Sequence, residues 1–405
     1  MSEDLSFSEE ELKRRLEAVR RGMAVSGVDV ALISTPENIF YLTGLDHFGY
    51  FAPHLLIVPA EGEMVLITRA MEGATIAKQV RNARFAGHTE GETAAEVTVR
   101  LLADAGRAEG RQTEAAEVAL EVLTDRDQRA AVLGLETWSA GLPFGLADSL
   151  MRALPHARWV DVGPLVDALR MVKSPAEQRC LRAAARVSDA AANAAIAAIA
   201  EGASEREIAA ECQRAMILAG GAPPGFGPFI RPTSRLDEEH TTWGTGVLRA
   251  EDAVFLELSG CVRRYHAPLG RLVFVGEPPP GAEAMRSVCL EAFAAVLDAL
   301  RPGARAGEVY AAWQGVVDRA GLAHYRRHHC GYLVGIGFPP SWTGGNRVSG
   351  LRGDSELEIR PGMSFHILSW LMGTGRGDWF VSDTVLLTEA GPEVLTTTSR
   401  DLAQQ

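Results

Sequence analysis

A weak internal repeat in the second half of the chain constrains the fold most. Residues 201–211 (EGASEREIAAE) are similar to residues 302–312 (PGARAGEVYAA). An apolar helical pattern precedes each copy, at 184–200 and at 282–300, and a further helix and a strand-rich stretch follow each one. Two copies of this arrangement predict a duplicated α/β unit with pseudo-twofold symmetry, although Gly-Ala turns between helices are also common without duplication. A binding site at the junction of two such halves is expected.

A helix start marks the boundary between two domains. Ser174 is suited to the N-cap, Pro175 to the first helical position, and Glu177 to closing a capping box. We therefore predict an N-terminal α/β domain over 1–168 and a second domain over 169–405.

The first domain shows alternating helical and strand patterns. A capping box at Ser8 and Glu11 predicts a helix that runs to about Val25. The remaining patterns predict strands at 28–34, 39–42, 55–58, 64–68, 118–121 and 159–162, and helices at 70–80 and 94–105.

Composition excludes several classes of protein. The 405 residues are 47% hydrophobic and 23% charged, as in an ordinary globular protein, and the net charge of −12 disfavours nucleic acid as a partner. No apolar run is long enough to span a bilayer, and the acidic N-terminus lacks a signal-like apolar core, so we expect a cytoplasmic protein and no membrane partner. The five cysteines form no CxxC pair, which favours reduced, structural thiols.

The densest cluster of polar residues lies between Arg231 and Arg271. Glu257 is embedded in an apolar strand at 254–258, where a carboxylate is costly unless it is paired. It is either a solvent-facing or arginine-paired residue, or a general base or nucleophile with His240 or His266 as its acid–base partner. Each histidine alone is also compatible with a structural role.

The local motifs indicate neither a metal nor a nucleotide. HExxH and EF-hand patterns are absent, and the glycine-rich segment at 220–227 fits neither GxGxxG nor a P-loop. A GxSxG nucleophile motif is also absent. We therefore expect no cofactor.

Several motifs together resemble the creatinase–prolidase–aminopeptidase P family, also called peptidase family M24 or the pita-bread group. The resemblance covers nearly the whole chain, and it implies a creatinase-type N-terminal α/β domain followed by an internally duplicated pita-bread α/β domain. The motifs are PENIFYLTG at 36–44, MVKSPAE at 171–177, His240, EDAVF at 251–255, PGM at 361–363 and SDTVLLT at 382–388.

The chain departs from this family at the metal ligands. The family's peptidases hold two divalent ions with two Asp, one His and two Glu. The matching positions in this chain are Glu257, Pro268, Tyr332, Leu368 and Ser382. Four of the five residues offer neither carboxylate nor imidazole, so the resemblance argues against a metal and against dipeptidase activity.

Two long strings are similar to the ectoine hydrolases, a metal-independent branch of this family. They are RLDEEHTTW at 235–243 and ELSGCVRRYHAPLGR at 257–271. This resemblance implies hydrolysis of a small cyclic amidine, ectoine or hydroxyectoine, to an N-acetyl-diaminobutyrate, with catalysis by His240 and Glu257. The candidate substrate-binding residues are Arg231, Trp243, His266, Arg271, Tyr332, Phe48 and Tyr50.

Other functions stay open at this point. The alternatives are a creatinase-like hydrolase of another small C–N substrate, and a non-catalytic pseudo-peptidase that acts as a binding module. A metal-dependent Xaa-Pro peptidase is disfavoured. The family suggests a homodimer, and the loop at 44–51 differs from the aromatic loop expected in ectoine hydrolases.

Overall fold

The computed structural model describes residues 7–104, 130–345 and 347–401. The chain divides into two units, with Met1–Arg170 and the segment Gly345–Arg347 in the first unit and the remaining residues in the second. The division falls close to the boundary expected from the helix start at Ser174. The strand predicted at 118–121 lies outside the described residues.

The N-terminal unit is a mixed sheet with helices. Its strands have the order β4-β3-β2-β1-β5-β6, with antiparallel pairing among β1–β3 and parallel pairing elsewhere. The strands are β1 (Val30–Ile33), β2 (Leu55–Pro59), β3 (Met64–Arg69), β4 (Ala83–His88), β5 (Val132–Leu135) and β6 (Arg158–Asp161). The helices are α1 (Glu9–Ser26), α2 (Pro36–Thr43), α3 (Gly73–Gln79), α4 (Ala94–Asp104), α5 (Phe144–Ala153) and α6 (Gly163–Arg170).

One predicted strand is wrong. Residues 39–42 form part of α2, which begins at Pro36 and ends before Gly44 in the left-handed conformation. The run is apolar because this helix is buried on nearly all sides. Glu136 supports the helix start, since its carboxylate accepts the backbone N–H groups of Ser34 and Thr35 at 2.6 and 2.7 Å.

The C-terminal unit contains the duplication. Its helices are α7 (Pro175–Ala198), α8 (Glu205–Leu218), α9 (Ala282–Ala299) and α10 (Ala306–Arg319). Its strands are β7 (Phe229–Arg231), β8 (Ala253–Val262), β9 (Tyr265–Phe274), β10 (Gly331–Leu333), β11 (Ser364–Leu371), β12 (Trp379–Thr388) and β13 (Gly391–Val394). The capping box predicted at Ser174 and Glu177 is present at the start of α7.

The sheet order displays the pseudo-symmetry. The strands run β10-β11-β12-β9-β8-β7, with β13 paired to β12, so that two three-stranded antiparallel halves meet where β9 pairs with β12. Each half follows a helix pair with a left-handed glycine in its turn, Gly202 in the first and Gly303 in the second, both with φ of 84°. The predicted duplicated α/β unit is confirmed.

The two faces of this sheet have different roles. Leu256 and Val273 belong to the apolar core with α7 and α8, whereas Phe365 and Ile367 belong to the core with α9 and α10. Because side chains alternate along a strand, the residues adjacent to these on each strand face the other side of the sheet. That second face carries the polar groups described below.

Two further observations concern the cysteines and the possibility of a membrane-spanning helix. All five cysteines are free and buried. In the described part of the chain, no helix combines the length and apolar character that crossing a membrane requires.

Substitution of Gly270 tests how closely the second face of the C-terminal sheet is packed. A Cβ atom at this position would meet the ring of Phe380 and would lie 2.8 Å from Ser382 Oγ. We expect Gly270→Ala to lower the free energy of unfolding by about 1–3 kcal/mol, because both neighbours must shift. Chemical denaturation measures the change.

Gly315→Ala is the matched control, because position 315 lies in α10 and has only the Arg319 side chain nearby. It should leave stability unchanged or raise it. Equal stability of Gly270→Ala and the wild type would contradict this account of the packing.

Candidate active site

One face of the C-terminal sheet gathers the candidate residues. The register pairs Phe229 with Glu257, Glu257 with Gly270, Gly270 with Ser382, and Ser382 with Leu368. These five residues therefore form one row across five strands, on the face opposite α7–α10. Residues two positions away on each strand share this face and flank the row.

Glu257 is a buried carboxylate at the centre of this face. Only 8% of the residue is exposed, and Oε1 has no hydrogen-bond partner in the described residues. Burial raises the pKa of Glu257 to about 8, and the positive charge of Arg231 opposes this rise only in part. The carboxyl group is therefore largely protonated at neutral pH.

His366 lies next to Glu257 and was not among the residues predicted from sequence. Its Nε2 atom is 3.8 Å from Glu257 Oε1 and 2.7 Å from Ser382 Oγ, and its Nδ1 atom is 2.9 Å from the Tyr332 hydroxyl. The sequence signal for His366 was a polar residue inside the apolar strand β11. That signal does not identify a partner on another strand.

The hydrogen bonds around His366 favour one tautomer. Trp342 Nε1, which can only donate, lies 3.0 Å from the Tyr332 oxygen, leaving the tyrosine O–H to donate to His366 Nδ1. His366 Nε2 then carries the hydrogen and directs it towards Ser382 and Glu257. Burial lowers the pKa of His366 well below its usual value, so the imidazole is neutral.

Arg231 lies on the same face as Glu257, as its pairing with Phe255 requires. The side chain is 2% exposed, and its guanidinium carbon lies 4.3 Å from the centre of the Phe255 ring. Nε and Nη1 lack hydrogen-bond partners within the described residues. The prediction that Arg231 binds substrate is compatible with these free donors.

His240 is on an exposed loop beside this face. Its ring is 6.3 Å from that of Phe229, the residue paired with Glu257. The loop is held by Arg235, which bonds the buried carboxylate of Glu205 at 2.5 Å and that of Glu238 at 2.7 Å. His240 has a positive φ of 54°, an uncommon conformation that this bracing supports.

The interpretation of Arg271 as a substrate-binding residue is wrong. Because Gly270 shares the face of Glu257, its neighbour Arg271 points to the other face. The guanidinium has five N–H groups, and all five are engaged. The acceptors are Asp383 Oδ1 and the carbonyl oxygens of Gly270, Ser382, Thr398 and Ser399.

His266 is also a structural residue. Its Nε2 atom accepts the backbone N–H of Gly225 at 2.9 Å, and its Nδ1 atom lies 2.9 Å from the carbonyl oxygen of Arg264. Burial lowers the pKa of His266 to about 4, so the ring is neutral. With both nitrogens engaged by backbone, the predicted substrate contact has no free group to use.

Three predicted aromatic residues lie away from the Glu257 face or in the other unit. Trp243 packs against Gly227 and against the core beneath α7 and α8. Phe48 and Tyr50 belong to the N-terminal unit, where the Tyr50 ring contacts those of His47 and His54 at 4.8 and 4.5 Å. A role of Trp243, Phe48 and Tyr50 in substrate binding stays a prediction.

The residues on this face do not form a two-metal site. The five positions that the sequence resemblance matches to the family's ligands are Glu257, Pro268, Tyr332, Leu368 and Ser382. In residues 7–104, 130–345 and 347–401, no group of three or more His, Cys, Asp or Glu could hold a metal ion. The donor chemistry therefore does not fit a pair of divalent cations.

Comparison with known proteins identifies the family. Residues 179–389 match metallopeptidase family M24, and residues 15–172 match the creatinase/prolidase N-terminal domain. The chain belongs to peptidase family M24. The resemblance seen in the sequence and the pita-bread fold that it implied are confirmed.

Three relatives illustrate the range of this family. The chain is 30% identical over 409 residues to an ectoine hydrolase from Halomonas elongata, covering 98% of each protein. It is 27% identical over 270 residues to a Xaa-Pro dipeptidase from Pyrococcus horikoshii, covering 67% of this chain and 74% of the dipeptidase. A prolidase structure from Thermococcus sibiricus matches with a TM-score of 0.81 at 20% identity, covering 99% and 100% of the two chains. Because these homologues are hydrolases, an enzyme of the hydrolase class is supported.

The pKa of Glu257 predicts how stability depends on pH. Its folded-state pKa of about 8 lies above its usual value of 4.5, so its stabilising contribution is complete below pH 4.5 and disappears as the pH rises through 8. Between these values the loss approaches about 1.4 kcal/mol per pH unit. Glu257→Gln should therefore gain stability relative to the wild type as the pH rises from 5 to about 9, as thermal unfolding would measure.

Glu211→Gln, on an exposed side chain of α8, is the control. Its melting curve should follow the wild type at every pH. A constant difference between Glu257→Gln and the wild type over this pH range would contradict the buried, protonated carboxyl group.

Proposed function

We propose that this protein is a metal-independent hydrolase that opens a small cyclic amidine, ectoine or hydroxyectoine, to an N-acetyl-diaminobutyrate. The observation that carries the proposal is the buried carboxyl group of Glu257, with residues that offer neither carboxylate nor imidazole at the other four ligand positions. The full-length similarity to an ectoine hydrolase supports the substrate class.

The positive charge of such a substrate complements the negative charge of an ionised Glu257. A protonated cyclic amidine is already cationic, so it supplies the positive charge that a metal ion supplies elsewhere in the family. Its approach favours the ionised form of Glu257, because an opposite charge nearby lowers the pKa of a carboxyl group. The carboxylate needed for attack is then generated when the substrate binds.

The hydrolysis adds one water molecule across a ring C–N bond. In one route, Glu257 attacks the amidine carbon and water later releases the acyl group; in the other, Glu257 takes a proton from the attacking water. In both, the carbon gains oxygen, the C–N bond breaks, and the leaving nitrogen gains a proton. His240 beside this face delivers that proton, and His366, whose Nε2–H is directed to Ser382 Oγ, lies 3.8 Å from Glu257 Oε1 as a neutral neighbour.

Two alternatives are weaker. A creatinase-like hydrolase of another small C–N substrate uses the same buried carboxylate, but the ectoine hydrolase relative favours the cyclic amidine. A non-catalytic pseudo-peptidase does not explain why Glu257 and Arg231 keep unpaired polar atoms inside the protein. Xaa-Pro peptidase activity is disfavoured because its two-metal chemistry needs ligands that these positions lack.

Turnover of ectoine tests the proposal directly. Protein stripped with a strong chelator should convert ectoine to an N-acetyl-diaminobutyrate, followed by NMR, at the rate of untreated protein. Glu257→Gln should lose about 10²–10⁴ of kcat, because it removes the attacking or proton-accepting oxygen. Ectoine remaining unchanged would reject the substrate, whereas loss of activity on chelation with recovery on adding a divalent metal would reject metal independence.

The catalytic variants need a folded control. Glu211→Gln lies outside this face and should retain wild-type kcat, and the Glu257→Gln protein should keep a cooperative unfolding transition. Wild-type turnover by both Glu257→Gln and His240→Ala would show that the assigned roles are wrong.

We also propose that the protein is a homodimer that acts on a small molecule. Two apolar side chains of the N-terminal unit support association, since Phe48 is 52% exposed and Phe51 is 78% exposed. Light scattering should give twice the 43.5 kDa chain mass. Phe51→Ser should weaken the dimer, and a monomeric wild type would contradict the proposal.

A further inference from the structure

Two arginines stack on neighbouring aromatic rings of the Glu257 face. The guanidinium carbon of Arg231 is 4.3 Å from the ring centre of Phe255, and that of Arg327 is 4.6 Å from the ring centre of Trp370. The two ring centres are only 5.2 Å apart. The ring of Phe380 completes the floor, 4.8 Å from each of the other two.

Each of these arginines keeps at least one buried N–H group without a hydrogen-bond partner in the described residues. Arg231 is 2% exposed, yet its Nε and Nη1 atoms have no hydrogen-bond partner in the part of the chain that is described. The Nε atom of Arg327 is buried and equally unpaired. Arg271 differs in that it engages all five of its N–H groups within the protein.

The carboxylates that attract these arginines do not form hydrogen bonds with their unpaired N–H groups. Glu239 attracts Arg231 electrostatically, but Nε and Nη1 of Arg231 still lack a hydrogen-bond partner. Glu257 is attracted by both Arg231 and Arg327, yet its Oε1 atom also remains unpaired. The unpaired N–H groups of the two arginines and the unpaired Oε1 of Glu257 therefore attract each other without forming a hydrogen bond. All of them remain available to a ligand.

We propose that Arg231 and Arg327, here called the arginine pair, bind a carboxylate of the substrate. This inference rests on the proposed function and deepens it by adding Arg327 and fixing the substrate's orientation. Guanidinium groups suit a planar carboxylate because they donate parallel N–H bonds. Phe255 and Glu257 are two residues apart on one strand face, about 7 Å along the strand.

That spacing matches a small zwitterion. A ligand whose carboxylate lies between the two guanidinium groups presents its cationic end to Glu257, while its ring rests on the floor of Phe255, Trp370 and Phe380. The arginine pair therefore selects for an anionic group near the reacting carbon. A cyclic amidine without that group loses these contacts and adds repulsion between its cation and the two arginines.

Binding of matched ligands tests this assignment by calorimetry. The first pair is ectoine and the corresponding cyclic amidine without the carboxylate, measured with Glu257→Gln so that turnover does not interfere. The second pair is benzoate and benzamide, measured with the wild type. We expect the carboxylate to bind about tenfold or more tightly in at least one pair. Arg327→Gln should remove most of that preference, and Arg231→Lys should reduce it.

Arg326→Gln is the matched control, because Arg326 adjoins Arg327 in sequence but is exposed and paired with Asp318. It should keep the full preference. Arg327 is partly exposed, so its variant should fold, and thermal unfolding checks both variants of the arginine pair. A preference that is absent in both ligand pairs, or that survives both variants, overturns the assignment.

The outcomes also separate this inference from the proposed function. If the wild type hydrolyses ectoine but the carboxylate preference survives in both variants, the arginine pair is rejected and the proposed function stands. If ectoine is not hydrolysed but the benzoate preference disappears in Arg327→Gln, the proposed function is rejected and the carboxylate site stands.

Discussion

The alternation of side chains across the antiparallel sheet is the constraint on which the site depends. The row from Phe229 through Glu257, Gly270 and Ser382 to Leu368 exists because four strand pairings are in one register. A slip of one residue in any pairing would send the groups on one side of that pairing into the helix-facing core. Gly270 lies in the middle of the row because Phe380 and Ser382 leave no room for a side chain there.

The same alternation explains which site residues were predictable from sequence. Glu257 was recognisable because a carboxylate inside an apolar strand is costly wherever the strand lies. His366 was missed because its importance comes from Glu257 and Ser382, which lie on other strands and meet it only after the sheet has formed. Arg271 carried the same sequence signal as Arg231, but its position one residue after Gly270 assigns it to the opposite face.

Local signals predicted the architecture better than the site. Capping residues at Ser174 located the start of α7, and the repeated turns located the two halves, because these features depend on neighbours a few residues away. The strand prediction for residues 39–42 was wrong for the opposite reason. Its apolar run is consistent with a strand or a buried helix, and the support for the helix comes from Glu136, far along the chain.

Under the proposed function, the residues at the family's ligand positions change what the site requires of its substrate. A site with bound divalent cations can polarise a neutral peptide bond, whereas this face keeps a neutral histidine, a tyrosine and a serine around one buried carboxyl group. A neutral ligand would leave Glu257 largely protonated, since Arg231 and Arg327 offset its desolvation only in part. A cationic ligand offsets the desolvation further, and the two arginines on the same face would repel that cation unless it carried an anion with it. Burial of Glu257 and the unpaired charge of Arg231 and Arg327 therefore favour the same ligand, a small zwitterion held in one orientation.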